Sequence, residues 1–248
     1  MSRHVLVLLD DMALRAKITA LLPGCTFQFE LPTGDPIAAL ADLYPALLIF
    51  DAARLPTWTA YSRASPATRR IPALSLATNP EQADHARSMG IPESLLITDL
   101  DPLPAGALLT RLREGVKQDA LTESCEGALP ALVKQGLTEF NAGAYYDAHE
   151  TLEHAWKDEA GPVRDVYRAI LQVAVAYYQI KRGNYDGAYK MFLRAAQWLV
   201  ILPDTCHGID LAQFKRDSQA ARTHLEALGA SRLSEFDPDY FGSIRWQE

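Results

Sequence analysis

Gly143-Ala144-Tyr145-Tyr146-Asp147-Ala148 returns forty residues on as Gly183-Asn184-Tyr185-Asp186-Gly187-Ala188, with glycine, tyrosine and alanine at one common offset. A repeat of that period reads as a helix hairpin that buries its apolar face against its neighbour. Gly143 and Gly183 supply the tight corners, and Ala148 and Ala188 are small enough to let helices approach. Asn184 extends the second corner. Around these corners the apolar periodicity predicts helices over 129–141, 145–159, 163–182, 185–202 and 211–228. Residues 126–230 therefore read as an all-α bundle with hairpins like those of tetratricopeptide units. Residues 231–248, which contain Asp237-Pro238, read as an irregular tail.

Upstream the pattern changes. Short apolar runs at 5–9, 26–31, 46–50, 72–76 and 94–97 alternate with helical spacing at 12–22, 37–43, 81–89 and 104–117. Apolar strands separated by helices predict a parallel sheet covered on both faces. Residues 1–120 thus form the first of two domains, a flavodoxin-like α/β unit.

The chain has 248 residues, 22% of them charged, and a net charge of −7. Phosphate backbones and anionic membranes need clustered Lys and Arg, so general nucleic-acid or membrane binding is not expected. Cys25, Cys125 and Cys206 are sparse and odd in number, which does not read as a disulfide framework or a zinc site. The run 5–9 is too short for a signal-peptide core. The run 166–178 is broken by Arg168 and Gln172, which makes it too polar to span a bilayer. These features together predict a cytoplasmic protein.

Ligands of an open parallel sheet gather at the carboxyl ends of its strands. Asp10, Asp11 and Asp51 fall there, and three carboxylates suit a hard cation such as Mg²⁺. Strand order and these aspartates make this part similar to the response-regulator receiver domain. The resemblance implies Asp51 as phosphoacceptor and Asp10, Asp11 and Asp51 as Mg²⁺ site. The family's hydroxyl position is filled by Ala77, with Thr78 one residue late, and the fifth strand ends in Thr98-Asp99 without the family's lysine. The domain therefore resembles a degenerate receiver, of a kind that docks partners or dimerises with two-fold symmetry.

The bundle carries a second candidate site. His149 and Glu153 lie one turn apart with Glu150 between them and Trp156 at the margin of the same face. Such a group can ligate a metal, or act as a base with an orienting carboxylate. Neither the two-histidine zinc-protease spacing nor the Glu-x-x-His of di-iron bundles is present. The neighbouring helix brings Arg168, Gln172 and Gln179 into an otherwise apolar surface. They predict a polar seam with a Glu153–Arg168 ion pair, and Trp156 as the floor of a ligand pocket.

Phe140-Asn141-Ala142-Gly143, Ala148 through Trp156, Leu171-Gln172-Val173-Ala174 and Arg182 through Ala188 resemble the helical family catalogued as domain of unknown function DUF309. The resemblance implies a compact all-α bundle with His149, Glu150, Glu153, Trp156, Gln172, Gly183 and Asn184 as signature positions. It implies no reaction. Ala169 and Tyr178 depart from the family's usual Gly and His. Two functional readings follow. One is a non-catalytic regulatory protein with a protein partner. The other is a metal-dependent enzyme or hydrolase built on His149, Glu150 and Glu153.

Overall fold

The computed structural model of the chain describes residues 3–112 and 118–247. Contacts divide it into two units, Met1–Gly115 and Val116–Glu248.

The first unit is a five-stranded parallel sheet, β1 (Arg3–Leu8), β2 (Cys25–Gln28), β3 (Leu47–Asp51), β4 (Ala73–Ala77) and β5 (Glu93–Leu96), in the order β2-β1-β3-β4-β5. Residues such as Val5, Leu48, Ile49 and Leu74 are wholly buried, because helices cover both faces of a parallel sheet. The connecting helices are α1 (Met12–Leu21), α2 (Pro36–Leu43), α3 (Leu55–Arg63) and α4 (Pro80–Ser88). Three of them begin with a side-chain cap. Asp11 accepts from the N–H groups of Ala13 and Leu14, Asp35 from that of Ile37, and Asn79 from that of Gln82.

The helix expected over 104–117 does not form in its described part. Residues 104–112 hold turns and a 3₁₀ turn, Leu109–Arg111. Gly106 has φ +86°, a left-handed conformation that an α-helix cannot contain. Its N–H donates instead to the Leu21 carbonyl. Residues 113–117 of that expectation lie outside the described residues.

The second unit begins with α5 (Gln118–Ser124), which the sequence pattern did not reveal. It continues with α6 (Ala131–Asn141), α7 (Tyr145–Asp158), α8 (Arg164–Lys181) and α9 (Tyr185–Leu199). A hairpin of two-residue strands follows, β6 (Thr205–Cys206) and β7 (Ile209–Asp210), and then α10 (Leu211–Leu228). Helices α6 to α9 pack each on the next as two hairpins. Both repeat corners end in the same backbone device. Gly143 (φ +74°) and Gly183 (φ +71°) donate to the carbonyls of Phe140 and Ile180, and Ala144 and Asn184 donate to those of Glu139 and Gln179. This double bond pattern with a left-handed glycine is the Schellman motif. Helix α8 is central: Tyr167, Ile170, Val173 and Tyr177 are at most 1% exposed on its several sides.

Cys125 and Cys206 form a disulfide, where the sparse, odd set of cysteines did not read as a disulfide framework; Cys25 is free. Their Cα atoms lie 4.4 Å apart across a separation of 81 residues, a proximity that spacing cannot disclose. Structural disulfides persist in oxidising surroundings, so the cysteines no longer argue for a reducing cytoplasm. Among the described residues no helix is long and apolar enough to cross a membrane.

The chain ends with 3₁₀ turns at Ala230–Glu235 and Pro238–Tyr240, followed by an extended run whose Trp246 bridges to Ile209.

Candidate functional site

Asp10, Asp11 and Asp51 all reach the carboxyl edge of the sheet, at the point where the strand order reverses between β1 and β3. Each is engaged separately. Asp10 Oδ2 pairs with Arg54 Nη2 at 2.8 Å. Asp11 Oδ1 accepts from Ala13 N–H at 2.8 Å and Leu14 N–H at 3.1 Å, and Asp51 Oδ1 accepts from Ala53 N–H at 2.8 Å. Both are thus N-caps of the turns that follow their strands. Ala77 is wholly buried at the end of β4, and the Thr78 hydroxyl donates to Gln82 Oε1 at 2.9 Å. Among the described residues no group of three or more His, Cys, Asp or Glu is placed to hold a metal ion.

In the second unit His149, Glu150 and Glu153 ride on the outward side of α7, whose inward stripe is Tyr145, Ala148, Leu152 and Ala155. Glu150 Oε1 accepts from the Tyr146 hydroxyl at 3.0 Å, and Tyr146 is 49% exposed. This bond, followed by the charge of Glu150, raises the Tyr146 hydroxyl above its ordinary pKa. Glu153 Oε2 pairs with Lys157 Nζ at 2.9 Å. That hydrogen bond is the main cause holding the Glu153 carboxyl below its ordinary value. Partial desolvation opposes it, and the charges of Lys157, His149 and His154 add to it. The Tyr146 ring lies 5.4 Å from that of Tyr178 and 6.4 Å from His149, while the Arg182 guanidinium sits 5.6 Å over Tyr178. The result is an open patch of two tyrosines, a histidine, an arginine and two carboxylates.

The expected seam takes a different form. Arg168 turns its guanidinium to two indoles, 5.0 Å from the Trp156 ring centre and 4.2 Å from Trp198, and Arg164 covers Trp156 at 5.3 Å. A planar guanidinium favours aromatic faces because it is weakly hydrated and meets their negative potential. The ion pair of Glu153 accordingly runs along its own helix to Lys157. Gln172 is 8% exposed, and its Oε1, Trp156 Nε1 and the Tyr167 hydroxyl are buried without a hydrogen-bond partner among the described residues. Gln179 belongs to the second corner, where its Oε1 accepts from Asn184 Nδ2 at 2.8 Å. Asn184 Oδ1 in turn accepts from Gly187 N–H at 3.0 Å, capping α9.

Chemically, the arrangement presents charge and aromatic edges rather than converging ligands on one centre. Tyr146, Lys157, Arg164 and Trp198 belong to it and were missed from sequence. The pairs Tyr146–Glu150 and Glu153–Lys157 have helical i, i+4 spacing, a signal that was there to be read. Trp198 lies on another helix and left no local signal.

An uncharacterized protein of Aquifex aeolicus is 30% identical over 87 residues, which is 34% of this chain and 26% of the relative. The match therefore spans about a quarter of that protein's length. Residues 133–191, holding both glycine corners and the acid–histidine face of α7, match the model of the family described as Domain of unknown function (DUF309).

Proposed function

We propose that the chain is a non-catalytic regulatory protein whose helical unit binds a protein partner through the open face of α7 and α8, around Tyr146, His149 and Tyr178. The observation that carries this reading is the separate engagement of the acidic groups. Glu150 is occupied by Tyr146 and Glu153 by Lys157, on a face where Tyr146 stays 49% exposed. Tyrosine, histidine and arginine displayed together on a helix surface suit protein recognition, where rigid amphipathic rings contribute most. A net charge of −7 favours a protein partner over nucleic acid.

The sheet unit enters the proposal as a degenerate receiver used for docking or for a two-fold homodimer. Support comes from its strand order and from Arg54, which pairs with Asp10 beside the capping carboxylates. The stacked hairpins play the part of tetratricopeptide-like units, each exposing one helix face.

Two measurements on the full chain test the reading. Incubation with acetyl phosphate and Mg²⁺, followed by intact mass, is expected to give no phosphoryl gain that Asp51→Asn abolishes. Elemental analysis of the purified protein is expected to find no stoichiometric Zn, Mn or Fe that His149→Ala removes. Either gain would replace the docking reading, the first with phosphoryl signalling and the second with a metal-dependent hydrolase on His149, Glu150 and Glu153.

A further inference from the structure

Residues 242–247 lie extended along the helical unit, with Ile244 2% exposed and Ser243, Arg245 and Gln247 turned outward. The polar bonds that hold this run address its main chain. Asn141 Nδ2 donates to the Ile244 carbonyl at 2.8 Å, and the Ile244 N–H donates back to Asn141 Oδ1 at 2.7 Å. One side-chain amide thus reproduces the paired bonds of two antiparallel residues. Gln213 Nε2 donates to the Ser243 carbonyl at 2.9 Å, and the Gly242 N–H donates to the Tyr177 hydroxyl at 3.3 Å. The Asp210 N–H donates to the Arg245 carbonyl at 2.8 Å, and the Gln247 N–H to the Gly208 carbonyl at 3.0 Å. The run is therefore joined to β7 by one isolated antiparallel bridge, Ile209 to Trp246.

Side chains decide the rest. Phe241 packs against Tyr145 and Tyr177, with ring centres 5.6 and 5.1 Å apart. Ile244 is buried three residues on, and Trp246 is half-buried two further. At Gly242 a Cβ would stand 2.6 Å from Asp217 Cβ on α10, so a glycine is required there by space.

We infer that this surface is a peptide-binding groove, that the tail is its intramolecular ligand, and that its partner is an extended protein segment of the pattern aromatic–Gly–x–aliphatic–x–aromatic. Bonds to main-chain atoms carry no sequence identity, so a strand from another protein satisfies them equally. The places that take Phe241, Ile244 and Trp246 select which segment enters, as side-chain pockets do in recognition by strand addition. The tethered tail holds the groove at high effective concentration and sets the threshold a partner must exceed. The inference goes beyond the α7–α8 face and does not depend on it.

The test uses the full chain with Gly242→Val, which expels the tail from beside Asp217, and a fluorescent peptide of residues 240–248 as probe. The variant is expected to bind the peptide saturably, at least about tenfold tighter than the wild-type chain does. Adding Asn141→Ala to the variant, or placing Ala at the glycine of the peptide, is expected to weaken binding at least about tenfold. A Gly242→Val chain with native circular dichroism and no saturable binding would overturn the inference. Hydrogen exchange on the wild-type chain decides the matter if that variant does not fold. The amides of Gly242, Ile244 and Gln247 are expected to exchange at least about a hundredfold faster than those of Val173 and Ala174, through local release. Equal protection would make the tail part of the cooperative core and end the proposal. A bound peptide says nothing of Asp51 or His149, so the two functional readings fail separately.

Discussion

At Gly136 the helical unit has no room for a side chain. A Cβ there would meet Leu152 Cγ at 2.7 Å and Cδ2 at 2.9 Å, and Leu152 is wholly buried. Alanine in mid-helix gains about 1 kcal/mol over glycine from propensity. Overpacking a filled core costs about 1–3 kcal/mol, so the second effect wins. Gly136→Ala is expected to lower stability by about 1 kcal/mol, read as a shift of the urea midpoint at unchanged slope. Adding Leu152→Ala should recover part of the overpacking term in a double-mutant cycle, because the two sites share one contact. A neutral Gly136→Ala would mean that α6 and α7 stand further apart than described. Gly143 and Gly183 are held for another reason. Their left-handed φ closes the corners, and that need was visible in the repeat.

The β6–β7 hairpin is an element that should not stand by itself. Two residues per strand give too few ladder bonds for independent stability. It is tied to the loop after α5 by the Cys125–Cys206 disulfide, by the His207 N–H donating to the Cys125 carbonyl, and by the hydrogen bond between His207 Nδ1 and the Gly127 carbonyl. A link across 81 residues stabilises by about 4.5 kcal/mol in the chain-entropy treatment. Reduction, or Cys125→Ser with Cys206→Ser, is expected to cost at least about 2 kcal/mol in urea unfolding. Alkylating the unfolded, unreduced chain should label Cys25 alone. Labels on all three cysteines would refute the pairing. The same element shows what the sequence withholds. Fully apolar strands such as 46–50 announce themselves within a residue or two, because burial on both faces leaves no polar position to confuse the pattern. Helix α3 stayed hidden because Ser62 fills the third buried place after Leu55 and Trp58, which removes the apolar stripe. The helix expected over 104–117 failed because Gly106 adopts a positive φ that composition alone does not reveal. At the candidate site, His149, Glu150 and Glu153 were legible from one-turn spacing. The turn of Arg168 toward Trp198 was not, since it depends on how α8 and α9 pack.

Across the whole molecule, raised tyrosine pKa values gather in the helical unit. Burial pushes the hydroxyls of Tyr145 and Tyr167 up to about 12, and raises that of Tyr177 as well. Tyr145 and Tyr167 are 5% and 1% exposed, so solvent does little to screen the effect. In the unfolded chain these groups ionise near pH 10. A folded pKa above the unfolded one means that folding resists loss of the proton. The stabilisation is therefore complete below about pH 10 and is lost as pH rises toward the folded values. Two groups shifted by about two units remove about 5 kcal/mol by pH 12, comparable with the total stability of an ordinary domain. The growing negative charge on a chain already at −7 acts in the same direction. Raising pH from 9 to 12 is therefore expected to unfold the helical unit cooperatively. Loss of helical circular dichroism should coincide with the step in tyrosinate absorbance at about 295 nm, because Tyr145, Tyr167 and Tyr177 surrender their protons on unfolding. Tyr167→Phe keeps the ring and removes one titrating group, so its transition should move to higher pH. If the full absorbance of all ten tyrosines developed ahead of any helical loss, these rings would be open to solvent and the aromatic core of Phe140, Tyr145 and Tyr177 would not be closed.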